Sequence, residues 1–168
     1  MAETPERLAG RLQNEGEKTL KFFSSLQPHA WQQQLYTEGS CWSVREVLAH
    51  FVSTEAAFVR LIKNILAGGP GSPKSFNIDN FNESEVAAFA GNSTEEMLRK
   101  FGELRQANAA LVAQMSPADL SRTGRHPFLG VAPLEEIIKL LYRHNQIHQR
   151  DVRRIFISSE DGSDKPLR

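Results

Sequence analysis

The chain has 168 residues, of which 40% are hydrophobic and 24% charged. That composition belongs to a globular protein long enough to bury a core without disulfide or metal staples. Twenty basic side chains balance twenty acidic ones, which removes any bulk pull toward nucleic acid or anionic membrane, so neither is expected as a partner. The single cysteine, Cys41, excludes an intrachain disulfide framework. The start of the sequence lacks a basic segment followed by an apolar run, and a cytoplasmic protein is the expectation.

The first helical segment runs from about Thr4 to Leu26, with Leu8, Leu12, Thr19, Phe22, Phe23 and Leu26 spaced by three and four. Gly10 and Gly16 weaken it by about 1 kcal/mol each against alanine, and Pro28 stops it. The second has the sharpest start, a capping box of Ser43 with Glu46. Val44, Val47, Leu48, Phe51, Val52, Phe58, Ile62 and Ile65 then form a wide apolar arc, which Gly68-Gly69-Pro70-Gly71 ends. Its charged residues make it amphipathic rather than membrane-spanning. A connection over residues 68–92 follows, with room for a short helix over 82–90. Connections of that length are often functional.

The third long helix opens with a second capping box, Ser93 with Glu96, and its stripe contains Met97, Phe101, Leu104, Asn108, Leu111 and Met115. Ser116-Pro117 ends it, and residues 116–131 read as an irregular connection. The fourth opens at Ala132-Pro133, proline suiting a first helical turn. Its stripe runs through Leu134, Ile137, Ile138, Leu141, Val152, Ile155 and Phe156. Residues 1–158 are expected to form one domain, and residues 159–168, polar and charged, a mobile tail. These segments predict an all-α four-helix bundle. The connection before the third helix is long enough to cross the bundle, which lets the second and fourth helices run antiparallel.

The fourth helix carries polar residues where a core stripe should be apolar. Asn145 and His148 fall on the stripe, and His144 falls on its edge, at about 100° per residue. Histidines at i and i+4 present two imidazoles from one face, a spacing suited to a metal ion. Ordinary hydrogen-bonded core histidines satisfy the same spacing. His50 flanks the apolar arc of the second helix, roughly 10 Å from its start, while His148 lies roughly 15 Å from the end of the fourth. In an antiparallel pair these depths are nearly level. Glu55, near the centre of the same arc, is a candidate catalytic carboxylate that orients a histidine or acts as a base. Pairing with an arginine, or pointing into a polar groove, is the alternative.

The segment Trp42-Ser43-Val44-Arg45-Glu46-Val47-Leu48-Ala49-His50 resembles the W-S-x-x-E/D-x-L-x-H segment of the DinB/YfiT-like metalloenzymes. His144-Asn145-Gln146-Ile147-His148 resembles their H-x-x-x-H, and Gly130 to Glu136 their glycine-containing lead-in to the last helix. The resemblance spans the second helix to the end of the fourth. It implies a four-helix bundle whose second connection crosses over, with His50, His144 and His148 as ligands of a divalent ion, nickel or zinc, and a homodimer. Relatives of known activity include transferases and isomerases that use a low-molecular-weight thiol such as mycothiol, bacillithiol or glutathione. Phe76 to Asn82, with Asp79 and Asn82, looks like a segment of some of these relatives.

Three neutral imidazoles leave at least one coordination position open, the pattern of a catalytic ion. Such an ion lowers the pKa of a bound thiol, which suits S-transfer or isomerisation of a small-molecule substrate. Hydrolysis by activated water and a noncatalytic, stress-associated metal-binding module are the alternatives. Cys41, nine residues before His50, is too far along a helical path to join it as a ligand, at roughly 13 Å. His126, before Pro127, either approaches the mouth of the site or sits on a surface loop. His29 reads as a turn, and Arg150, Arg153 and Arg154 read as helix-surface charge.

Overall fold

The computed structural model describes residues 3–160, with side chains through Phe156. Four long helices carry the fold: α1 (Pro5–Ser24), α2 (Val44–Leu66), α4 (Thr94–Ala113) and α5 (Leu134–Glu160). A shorter helix, α3 (Ile78–Ala88), lies in the connection between α2 and α4, and a hairpin of β1 (Thr123–His126) and β2 (Gly130–Pro133) precedes α5. Local chemistry sets the starts. Thr4 accepts from the Arg7 backbone N–H at the head of α1. Both expected capping boxes are complete, Ser43 with Glu46 and Ser93 with Glu96.

Two apolar clusters give the direction of each helix. One joins Leu8 and Leu12 of α1 with Phe58 and Ile62 of α2, Ala109 and Val112 of α4, and Leu134 to Tyr142 of α5. The other joins Phe23, Val44 to Val52, Met97 with Phe101, and Val152 with Ile155. The start of α1 therefore lies level with the ends of α2 and α4 and with the start of α5. Helices α2 and α4 run parallel to each other and antiparallel to α1 and α5, so the chain must cross the length of the bundle between α2 and α4. Arg45, at the head of α2, holds the end of that crossover. Its guanidinium donates to the backbone carbonyls of Phe89 at 3.0 Å, Ala90 at 3.2 Å, and Asn92.

Between the clusters each helix contributes polar residues. Gln149 donates to the Thr19 hydroxyl at 2.7 Å. Arg105 binds Glu55 through Nε at 3.0 Å and Nη2 at 2.5 Å, and Asn108 donates to the second Glu55 oxygen at 2.8 Å. Gly16 makes room for this layer: a Cβ there would come within 2.6 Å of the Arg105 Cγ.

Several expectations differ from the structure. Residues 116–131 contain a 3-10 turn (Asp119–Ser121) and the first strand of the hairpin rather than irregular chain. Four-residue strands are too short for an alternating pattern to register. Pro133 pairs with Thr123 at the end of β2, so the last helix opens one residue later. The short helix begins at Ile78, where the Asn77 side chain accepts from the Asn80 N–H, instead of at 82. Helix α5 runs to Glu160, and residues 161–168 of the expected tail lie outside the described residues.

Candidate metal centre

Helices α2 and α5 bring His50, His144 and His148 together. One ligand nitrogen from each lies within 4.8 Å of the others. His50 Nε2 is 2.9 Å from His144 Nε2, which is 3.1 Å from His148 Nε2. Tetrahedral zinc, at about 2.0–2.1 Å from each nitrogen, separates its ligand atoms by about 3.3 Å, so the His50–His144 and His144–His148 pairs stand within a few tenths of an ångström of that spacing. The Trp42 ring packs against His50 at 4.7 Å between centroids and closes one side.

Partners on the far side of two rings fix the tautomers. The Tyr36 hydroxyl donates to Asp151 Oδ2 at 3.0 Å and has only one proton. Its oxygen must therefore accept from His148 Nδ1, at 2.6 Å. The Asn145 carbonyl oxygen lies 3.3 Å from His144 Nδ1 and accepts there. Both histidines then carry their protons outward and turn an Nε2 lone pair toward the other. Two lone pairs at 3.1 Å repel unless a cation lies between them, and the Tyr36–Asp151 relay is the kind of outer contact that orients a ligating imidazole.

The rings are also held neutral. Burial lowers the pKa of His144 to about 3, with His148 adding to the shift, and burial lowers His148 to about 4. Burial, then His144 and His148, holds His50 well below the ordinary histidine range. Burial and next Asp151 hold the Tyr36 hydroxyl protonated. At neutral pH the trio is an uncharged set of three nitrogen donors, and it could bind a divalent ion without displacing protons.

The trio opens into a cleft of about 740 Å³, whose other walls include Phe58, Phe76, Phe81, His126 and Phe128. The crossover supplies Phe76 and Phe81, and the hairpin supplies His126 and Phe128. Asn82 lines the cleft, while Asp79 is exposed and does not. Cys41 is exposed and also outside the lining. Arg153 stacks on Phe22 at 4.5 Å, and Arg150 and Arg154 face Asp151 at 3.9 and 3.7 Å.

Glu55 does not join the cleft. Five residues beyond His50 is about 140° round the helix, and its carboxylate is occupied by Arg105 and Asn108. Sequence reasoning missed Tyr36. It stands in an extended segment far from α5 in the chain, and no local pattern marks it as a partner of His148.

Residues 11–152 match the DinB superfamily. Solved structures similar to this chain include YfiT from Bacillus subtilis, described as a probable metal-dependent hydrolase with an unusual four-helix bundle topology. It is 18% identical with a TM-score of 0.71, over 94% of this chain and 87% of that one. An uncharacterised protein from Escherichia coli UTI89 is 12% identical with a TM-score of 0.72, over 98% of both chains. The colibactin self-resistance protein ClbS, solved in complex with double-stranded DNA, is 13% identical with a TM-score of 0.68, over 92% of this chain and 96% of that one. No curated protein matches. No helix among the described residues is long and apolar enough to cross a membrane. The match over residues 11–152, together with the parallel α2 and α4 joined by a crossover, establishes that the chain belongs to the DinB superfamily.

Proposed function

We propose that this protein is a metal-dependent enzyme whose ion is held by His50, His144 and His148, and that it transfers a low-molecular-weight thiol to a small acceptor. The observation that supports the site most is the orientation of His144 and His148, whose Nδ1 atoms are both engaged outward while their Nε2 atoms converge. Three nitrogen donors suit nickel and zinc alike, and both ions belong to the proposal. When bound, such an ion supplies Lewis acidity that lowers the pKa of a thiol or of water.

The residues around it exclude water and position the acceptor. Trp42, Phe58, Phe76 and Phe81 give the cleft an apolar wall. Tyr36 and Asp151 hold the His148 proton at Nδ1. A thiol reaction fits this lining, because an ionised thiol needs no general base. The one carboxylate in the lining, Glu38, is exposed.

Hydrolysis is the second reading, and the description of the YfiT structure favours it. A homodimer belongs to the proposal through the family resemblance alone. DNA does not belong to it, since a chain of net charge zero offers no bulk attraction to phosphate.

The test is turnover by nickel- or zinc-loaded protein, screening glutathione, bacillithiol and mycothiol against electrophilic acceptors, with ester and amide substrates in parallel. Thiol-dependent product that disappears on chelation is expected. Ester or amide cleavage without thiol would replace S-transfer by hydrolysis. Inactivity in every arm with the ion bound would make the site a noncatalytic module.

A further inference from the structure

His126 is only 6% exposed, yet it lines the cleft. Its Nδ1 accepts from the backbone N–H groups of Phe128 at 3.1 Å and Leu129 at 3.3 Å, closing the hairpin turn. A neutral imidazole has one donor and one acceptor, so the proton must sit on Nε2. That N–H has no hydrogen-bond partner among the described residues. Burial lowers the His126 pKa to about 4, which keeps the ring neutral at pH 7.

The ring cannot easily turn away. Phe58 packs on it at 5.4 Å between centroids. The preceding residue, Arg125, is tied to the crossover on both edges: its N–H donates to the Pro70 carbonyl and its carbonyl accepts from Ser72, each at 2.8 Å. The cleft therefore contains, in His126, a fixed and uncharged donor within a largely aromatic wall. The charged side chains in the lining, Glu38 and Arg60, are exposed, so away from the histidine trio a charged group in the interior would lose its hydration without an opposite charge. The cleft volume is that of a small-molecule site.

We propose that this cleft binds an uncharged, mainly apolar molecule that carries a carbonyl or similar neutral acceptor, and that the acceptor sits on His126 Nε2–H. This deepens the reading above, because the bound molecule is taken to be the substrate. Its binding, however, does not require the ion.

Two matched probes test it: 2-acetylnaphthalene, which carries the carbonyl, and 2-ethylnaphthalene, which does not. Their affinities are measured by NMR titration on metal-stripped and zinc-loaded protein. The wild type should prefer the ketone by about fivefold, the worth of one neutral hydrogen bond. His126→Asn keeps an acceptor near the Nδ1 position but withdraws the donor from the depth of Nε2. It should abolish the preference, read as the ratio of the two affinities within each protein, and His126→Gln should restore part of it. The same ketone preference in wild type and His126→Asn would overturn the proposal, as would no preference in the wild type. If His126→Asn fails to fold, the wild-type imidazole spectrum decides. The His126 Nε2–H resonance should move with the ketone and not with the hydrocarbon, and an unmoved resonance overturns the proposal. Ketone preference in a protein that holds no ion would separate this proposal from failure of the metal reading.

Discussion

Tyr36 and His148 stand 112 residues apart in the chain, yet their 2.6 Å hydrogen bond decides which nitrogen of His148 faces the cleft. Tyr36→Phe removes the acceptor and leaves His148 Nδ1 without its relay to Asp151. Losing such an outer contact weakens metal binding by about 10–100-fold. A competition titration against a chelator should show that loss in a variant that still folds, and wild-type affinity would refute the role. Glu55 makes the opposite case. Its place in the sequence marks it as buried and charged, which it is, but two assignments fit that pattern, and only the partners separate them. The Arg105–Glu55 pair is 3% and 0% exposed. Glu55→Gln leaves the guanidinium without its counter-charge, and breaking a buried pair costs about 3–5 kcal/mol. Urea unfolding should show that loss, with the metal content of the folded variant unchanged. Unchanged stability with turnover abolished would return Glu55 to the role of catalytic base.

The two capping boxes and the glycine-proline stops make α2 and the start of α4 legible, because each is local chemistry written within a few residues. The hairpin is not legible. Its strands are four residues long, and what holds them is partly remote: Gly71 lies against Arg125, and the Gly71 N–H donates to the Asn64 side chain at 2.9 Å. Gly71 has φ +84°, and a Cβ there would collide with the Arg125 backbone. Gly10, inside α1, has open space where a Cβ would stand, with no neighbouring atom within 4 Å. The two glycines should therefore respond oppositely to alanine. Gly71→Ala should lower Tm by at least about 3 °C, a loss exceeding about 1 kcal/mol. Gly10→Ala should raise Tm through helix propensity. Scanning calorimetry reads both, and a neutral Gly71→Ala would remove the anchoring of the hairpin to the crossover.

At the scale of the whole molecule, the parallel course of α2 and α4 forces the crossover. The crossover then roofs the histidine cleft with Phe76 and Phe81. The antiparallel relation of α2 and α5, which the length of that connection allows, holds. It places His50, flanked in the chain by Ala49 and Phe51 of the second cluster, opposite His144 and His148. The trio stands out in the sequence because polar residues interrupt an apolar stripe, and resemblance supplies a reason for them. Its tautomers do not stand out, since they depend on Tyr36 and on the Asn145 amide. The central claim is that this trio holds a divalent ion, and elemental analysis of purified protein with its His148→Ala variant tests it most directly. The account predicts about one divalent ion per wild-type chain, nickel or zinc, and almost none in the variant. Full retention of the ion by His148→Ala, or no ion taken up by the wild type, would contradict it.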